Sequence, residues 1–142
     1  MENNQLKNIL TRIGQINPKY TLEDWIVKKP ELIQFLDEPS QEFQTLVVKK
    51  NPYYIQNIEN PSTETGIAAV KQDAYVIQHI KKPTIEVQFA AIGKDPDSIR
   101  YIQNPSDEIQ LAAVKRKPRS IQFIKNPSQE VRQYLLTKGF NI

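Results

Sequence analysis

The sequence has no cysteine, one histidine and only four glycines among its 142 residues. Without cysteine the chain cannot form disulfides or thiolate metal sites, and it has no cysteine nucleophile. No apolar run approaches the roughly 20 residues that a membrane-spanning helix needs. The polar start, from Met1 to Gln5, lacks the apolar core of a signal peptide. These absences predict a soluble, cytoplasmic protein.

The chain also lacks a strong excess of either charge. It carries 19 basic and 16 acidic residues, a net charge of only +3. A balance this even does not by itself require an anionic partner. The length predicts one domain with a sizeable core.

Internal repetition is the dominant feature of the sequence. Successive segments follow one another at a fixed step of 22 residues and read roughly Pro-Ser-x-Glu-Val-Gln-x-Ala-Ala-Val-Lys-x-Asp/Asn-Pro-x-x-Ile-Gln-x-Ile-x-Asn. A repeat of this size is typical of architectures in which each unit buries its apolar face against the next. We number the standard units 2 to 5; they are residues 39–60, 61–82, 83–104 and 105–126.

The two ends of the chain differ from these units. Residues 1–17 are predicted to form an N-terminal capping helix, because apolar residues recur at helical spacing from Leu6 to Ile16. Residues 18–38 form a divergent unit 1. In the half unit 127–142, Tyr134 and Leu135 replace small alanines, which predicts a C-terminal cap. The chain 1–142 is therefore predicted to be a single all-α domain, an α-solenoid of short helix pairs.

Each standard unit is predicted to hold two helices. The first starts at the proline that opens the unit, whose fixed φ and missing N–H suit a helix start. Either the residue before this proline or the serine or threonine after it could cap the helix. The second helix, of about eight residues, opens after Asn51, Asp73, Asp95 or Lys117, of which Lys117 alone has no capping oxygen.

The apolar residues of the units predict how neighbouring units pack. Isoleucines three apart place one side of each second helix inward, as in Ile55 and Ile58. Paired alanines in the first helices leave room for close approach of the next unit, so that a larger residue there would overpack the stack. These pairs are Ala68-Ala69, Ala90-Ala91 and Ala112-Ala113.

The stretch Asn104-Pro-Ser-Asp-Glu-Ile-Gln-Leu-Ala-Ala-Val-Lys115 resembles HEAT-like and leucine-rich-repeat-variant helical repeats. It is most similar to a family of 22-residue-step repeats found in bacteria, phages and large DNA viruses. The resemblance covers residues 39–133 and, more loosely, the whole chain. It implies a right-handed superhelix whose second helices line the concave side. Such repeats serve many binding roles, and one version of that role is a phage-type inhibitor or adaptor of a host or defence protein.

The sequence offers little for catalysis. His79 is the single histidine, and no carboxylate cluster or glycine-rich phosphate loop accompanies it, so neither a metal site nor a catalytic triad can be assembled locally. No cofactor is predicted, and the chain is predicted not to be an enzyme. A catalytic pocket would have to combine separated residues such as Asp24, Trp25, His79 and Arg100.

The second helices offer a candidate surface for a partner protein. With their isoleucines inward, helical geometry points a series of Gln and Arg side chains outward beside aromatic ones, a composition typical of protein-binding hot spots. Alternatively, the aromatic residues pack against neighbouring units and the glutamines form a solvated or mutually bonded ladder. The predicted partner-binding residues are Phe35, Tyr53, Gln56, Tyr75, Gln78, His79, Arg100, Tyr101, Gln122 and Phe123.

Basic residues that recur at the unit spacing offer a second candidate, an edge that could follow a nucleic-acid backbone. The alternative is that these are solvated lysines near the ends of helices. The edge consists of Lys49, Lys50, Lys81, Lys82, Lys115, Arg116, Lys117 and Arg119. The preferred hypothesis is a non-catalytic module that binds another protein or a peptide, with nucleic-acid binding as the alternative.

Overall fold

A computed structural model describes residues 19–36 and 38–142 of the chain. The described part contains α-helices that alternate with 3-10 helices, and it contains no β-strand. The predicted N-terminal helix, residues 4–16, lies outside the described residues. The α-helices are α1 Leu22–Lys28, α2 Gln41–Lys50, α3 Thr63–Gln72, α4 Ile85–Lys94, α5 Asp107–Arg116 and α6 Gln129–Thr137. The 3-10 helices are η1 Pro30–Phe35, η2 Pro52–Asn57, η3 Ala74–His79, η4 Pro96–Tyr101 and η5 Pro118–Phe123.

The helices form two parallel layers. Each α-helix packs against the next α-helix along the chain, and each 3-10 helix packs against the next 3-10 helix. Between the layers, α1 to α5 each contact the 3-10 helix of their own unit, and α2 to α5 also contact the 3-10 helix of the unit before. This tandem arrangement confirms the predicted α-solenoid, in which each unit completes the core of its neighbour.

Serine, not proline, marks the start of the first helix in most units. The hydroxyl of Ser40 accepts a hydrogen bond from the backbone N–H of Phe43 at 3.3 Å, so that Ser40 is the N-cap of α2. Ser62, Ser106 and Ser128 cap α3, α5 and α6 in the same way. The prediction that the preceding proline is the first helical residue was therefore wrong, because the capping hydroxyl must lie just outside the helix and the proline precedes it.

The second helix of each unit is a six-residue 3-10 helix, shorter and tighter than predicted. A 3-10 helix has three residues per turn, so residues three apart lie on the same side. Ile55 and Ile58 are buried together in unit 2, and so are Ile99 and Ile102 in unit 4. The three-residue spacing of the isoleucines was the sequence signal for this geometry.

The core runs through the α-helical layer as a continuous seam. The second alanine of each pair, Ala69, Ala91 and Ala113, is fully buried. Space is also tight at Gly66 of α3, where an added Cβ would lie 2.8 Å from Cγ2 of Val87 in the next unit. The close approach predicted from small residues is therefore present, and Gly66 is part of it.

The last helix ends in a Schellman motif. Gly139 has a φ of +82°, its N–H donates to the carbonyl of Leu136, and the N–H of Phe140 donates to the carbonyl of Leu135, both at 3.0 Å. Leu135, which stands where other units have the buried alanine, is itself buried.

Candidate functional site

The side of the 3-10 helices that faces away from the core forms a surface that crosses all five units. We call it the second-helix surface. Because each 3-10 helix repeats every three residues, the positions adjacent to the buried isoleucines form one exposed row. Its central residues are exposed in every unit, and they are Gln34, Gln56, Gln78, Arg100 and Gln122. The predicted outward orientation of these residues is thus observed.

The neighbouring aromatic residues are only partly exposed. Phe35 is 52% exposed and Tyr101 is 36% exposed, whereas His79 and Phe123 are half-buried between units. The ring of Tyr53 meets that of His79 edge to face with centroids 5.8 Å apart, and Tyr75 meets Tyr101 in the same way at 5.7 Å. These rings both pack against the next unit and present an edge to solvent.

Hydrogen bonds between tyrosine and aspartate join successive units below these rings. The hydroxyl of Tyr53 donates to Oδ2 of Asp73 at 2.7 Å, while Oδ1 of the same carboxylate accepts from the backbone N–H of Tyr75 and caps η3. Tyr75 and Asp95 repeat the contact at 2.7 Å in the next unit. The hydrogen bond to the carboxylate raises the pKa of both phenols. One aspartate therefore caps its own helix and holds the preceding unit.

The third contact of this series is an ion pair in place of the tyrosine–aspartate hydrogen bond. Asp97 occupies the position of Tyr53 and Tyr75, and it forms an ion pair with Lys117, which occupies the capping position. Asp97 also accepts from the hydroxyl of Ser120 at 2.7 Å. Partial burial of Asp97 opposes its ionisation, but the hydrogen bonds from Lys117 and Ser120 outweigh this effect and lower its pKa. The missing cap at Lys117 is thus explained, because its ammonium group joins unit 5 to unit 4.

Ser98 lacks the hydrogen-bond acceptor that Ser120 has in the next unit. Its position matches that of Ser120, and its side chain is fully buried, yet its Oγ has no hydrogen-bond partner among the described residues. The residue one unit earlier that corresponds to Asp97 is Tyr75, whose hydroxyl is bonded to Asp95. No carboxylate is therefore available to Ser98.

Arg100 takes the place of the missing aromatic partner of Phe123. Because Asp97 stands where a tyrosine stands in earlier units, no tyrosine ring meets Phe123 from that position. The guanidinium of Arg100 lies over the Phe123 ring instead, 3.6 Å from its centroid. Nε of Arg100 donates to the backbone carbonyl of Asp97 at 3.2 Å, as the side chain of Gln78 does to Tyr75.

Grooves lie between the 3-10 helices and the loops that follow them. The groove of units 4 and 5, which we call the C-terminal groove, has a volume of about 650 Å³. Its lining includes Arg100, Tyr101, Gln103, Phe123 and Lys125. Residues 66 positions earlier line an equivalent N-terminal groove of about 380 Å³ in units 1 and 2. The N-terminal groove has the acidic residues Glu38 and Glu59 and no basic residue in its lining.

A different set of glutamines forms a structural ladder. Gln110 is buried in α5, where its Nε2 donates to the carbonyl of Pro105 at 3.0 Å and its Oε1 accepts from the N–H of Ser128 at 2.9 Å. Gln44 makes the equivalent pair of bonds to Pro39 and Ser62. No hydrogen bond joins the exposed glutamines of the described 3-10 helices to one another. A mutually bonded ladder of the exposed glutamines is therefore not present among the described residues. The structural glutamines lie in the first helices, where they bond backbone groups, and sequence reasoning did not select them.

The predicted basic edge is partly used inside the protein. Lys50 donates to the carbonyl of Val27, and Arg116 donates to that of Gly93 at 2.9 Å, so each binds the end of the preceding α-helix. Lys117 is paired with Asp97. The remaining predicted edge residues are exposed, and they are Lys49, Lys81, Lys82, Lys115 and Arg119.

The α-helical layer has exposed apolar residues that sequence analysis did not select. Ile85 and Phe89, four residues apart on α4, are 39% and 41% exposed. Their spacing on one helix face was the available signal. The counterparts of Ile85 are polar, and those of Phe89 are either polar, as in Thr45 and Gln133, or half-buried, as in Ile67 and Leu111. Exposed apolar residues at both positions therefore occur on α4 and not on α2, α3, α5 or α6.

The residues named for a catalytic pocket each have structural contacts within their own unit or with a neighbouring one. Asp24 completes the capping box of α1 with Thr21, and Trp25 packs edge to face on Tyr20. His79 packs on Tyr53 and Arg100 on Phe123. Within the described ranges, no group of three or more His, Asp or Glu side chains is arranged to hold a metal ion.

The chain matches no protein-family model, and no curated protein and no solved structure is significantly similar to it. Across the part of the chain that the structure covers, every helix is too short or too polar to cross a membrane. The architecture of tandem helical repeats therefore rests on the structure itself, and the assignment to HEAT-like repeats remains a prediction from resemblance.

Proposed function

We propose that this protein is a non-catalytic module that binds another protein, or an extended segment of one, along the second-helix surface. The observation that carries this proposal is the contrast within each 3-10 helix. One side repeats buried isoleucines, whereas the exposed side changes from unit to unit between aromatic, amide and charged residues.

The composition of the surface supports a protein partner. Aromatic and arginine side chains contribute more binding energy at protein interfaces than most other residue types. Here Tyr53, Tyr101 and Arg100 are exposed while their contacts with neighbouring units restrict their movement. Side chains that are already ordered lose less conformational entropy when a partner binds.

Nucleic-acid binding is the second candidate, favoured by the exposed cations Lys81, Lys82 and Arg119. Its weakness is that Lys50, Arg116 and Lys117 are used in contacts between units. Phosphate binding of this kind predicts affinity that falls steeply with salt. The narrower idea of a phage-type inhibitor or adaptor has only the sequence resemblance in its support.

The test compares two aromatic residues of similar exposure on the two layers. Tyr101→Ala alters the second-helix surface, and Phe89→Ala is the matched control on α4. Each tagged variant is used to recover partners from the native host, and thermal unfolding checks that both are folded. We expect Tyr101→Ala to lose a partner that wild type and Phe89→Ala retain. Loss only with Phe89→Ala would move the binding site to the α-helical layer.

A further inference from the structure

The second-helix surface changes charge from one end to the other. In units 1 and 2, the described residues of the segments 30–38 and 52–60 include three acidic residues and no basic residue. In units 3 to 5, the segments 74–82, 96–104 and 118–126 contain five basic residues and one acidic residue, Asp97. Asp97 is already neutralised by Lys117. The C-terminal half of the surface is therefore electropositive, although the whole chain is nearly balanced.

The C-terminal groove concentrates this charge. Arg100 and Lys125 both line it, and both are exposed. At the equivalent positions, the N-terminal groove has Gln34 and Glu59. The two grooves are lined by equivalent repeat positions, but the C-terminal groove favours a negatively charged group and the N-terminal groove a positively charged one.

Arg100 is held in a position suited to a carboxylate. Its Nε donates to the carbonyl of Asp97, and its guanidinium carbon lies 3.6 Å from the centroid of the Phe123 ring. The two terminal nitrogens make no hydrogen bond with any described residue. A guanidinium fixed in this way can donate two parallel hydrogen bonds to a carboxylate without losing further side-chain freedom. Tyr101 and Phe123 provide an apolar wall for the residues beside that carboxylate.

We propose that the C-terminal groove binds an acidic segment of a partner protein, with one Asp or Glu carboxylate on Arg100 and Lys125 and an apolar neighbour against Tyr101 and Phe123. This inference rests on the proposed function and specifies its partner. Nucleic acid fits the groove less well, because tracking a phosphate backbone requires a run of cations and the groove has two.

The experiment uses a short fluorescent peptide that alternates Asp, Ser and Leu, and a matched peptide in which Asn replaces each Asp. Arg100→Gln is the main variant, because glutamine occupies the same position in the other four units and leaves the fold intact. Arg119→Gln removes one exposed positive charge from the same surface outside the groove. Binding is measured by fluorescence anisotropy at low salt, with a single-stranded oligothymidine as the nucleic-acid probe.

We expect the Asp peptide to bind wild type and Arg119→Gln with similar affinity, and the Asn peptide to bind neither. Arg100→Gln should weaken binding about tenfold, the loss expected for a charged hydrogen-bonded pair. Lys125→Glu, which copies Glu59 of the N-terminal groove, should abolish binding. Backbone amide shifts in an NMR titration should change in residues 100–104 and 123–126.

Three results would overturn the proposal. They are absence of peptide binding at low salt, equal weakening by Arg100→Gln and Arg119→Gln, and tighter binding of oligothymidine than of the Asp peptide. Failure here leaves the proposed function open to its own test, because a partner that depends on Tyr101 and not on Arg100 would still use the second-helix surface. If that partner also binds the Tyr101→Ala variant normally, the proposed function fails as well.

Discussion

The α-helical layer and the second-helix surface arise from the same 22-residue repeat, but they tolerate different kinds of variation. In the α-helical layer, one position holds Ala69, Ala91 and Ala113, with Val47 in unit 2 and Leu135 in the C-terminal half unit, and all five side chains are buried and apolar. On the second-helix surface, the position of Gln56 and Gln78 holds Arg100 in unit 4, and all three residues are exposed. A side chain between two close-packed helices must stay apolar and fill the space that its neighbours leave, whereas an exposed one can change chemistry at little cost in stability.

The side-chain contacts that join neighbouring units are kept along the chain, although the residue types that make them differ. Tyr53 with Asp73 and Tyr75 with Asp95 are alike, whereas Asp97 with Lys117 joins its units by a different interaction. In the Asp97–Lys117 contact both residues differ from those of the earlier units, and the Asp97 carboxylate also accepts from Ser120. Ser98 has no such acceptor, because Tyr75 stands at the corresponding position one unit earlier. What must be preserved at these positions is the connection between units and not the residue type.

The largest effect is expected for Ala91→Leu in the α-helical layer. The added atoms have no space between α4 and its neighbours, and overpacking of this kind costs about 1–3 kcal/mol in the free energy of unfolding. Ala90→Leu, at a half-buried position beside it, should cost less. Urea unfolding followed by circular dichroism measures both. Equal midpoints for the two variants would contradict the close packing of the seam.

The next largest difference in stability is expected between variants of two glutamines of unit 5, one in each layer. Gln110→Ala removes two hydrogen bonds and leaves a carbonyl and an N–H without their partner, at a cost of about 1–2 kcal/mol in unfolding free energy. Gln122→Ala removes an exposed side chain and should change stability by less than about 0.5 kcal/mol. The same urea titration compares them. If Gln122→Ala were as destabilising as Gln110→Ala, the exposed row would have a structural role.

Ser98 and Ser120 are expected to respond in opposite directions to the same substitution. Ser98→Val removes a buried hydroxyl without a partner and copies Val76 of unit 3, so it should stabilise the protein by about 1 kcal/mol. Ser120→Val removes a donor to Asp97 and should destabilise it. Thermal unfolding of the two variants gives the sign of each change. Destabilisation by Ser98→Val would indicate that its hydroxyl has an interaction absent from the described contacts.

The smallest effect is expected for the contribution of Asp97 to stability at acidic pH. Because the pKa of Asp97 is lower in the folded protein than its ordinary value of 3.8, its ionised form stabilises the fold above that value. This contribution is lost as the pH falls through the folded pKa. We expect the stability difference between wild type and Asp97→Asn to be constant near neutral pH and to shrink below about pH 4. Urea midpoints from neutral to acid pH measure it, and a difference independent of pH would remove the role assigned to the ion pair.

Much of the fold was predictable from local patterns. The 22-residue step, the isoleucines and the paired alanines indicated tandem helical units, because such regularity has a single simple packing solution. The exposure of Gln56 and Arg100 followed from the same pattern. The start of the first helix was misplaced because Pro39 and Ser40 both suit a helix start, and only the hydrogen bond from Phe43 identifies the N-cap.

The sequence by itself determined the number of units, their order and the side of each helix that faces the core, since these depend on residue spacing along one chain. Only the tertiary structure decided that Gln110 is structural and Gln122 exposed, that Asp97 joins Lys117, and that Arg100 lies over Phe123. These contacts join different units or different sides of a helix. The physical reason is that hydrogen bonds and stacking require atoms within a few ångströms, a condition that the three-dimensional packing of the units fulfils and residue spacing alone does not reveal.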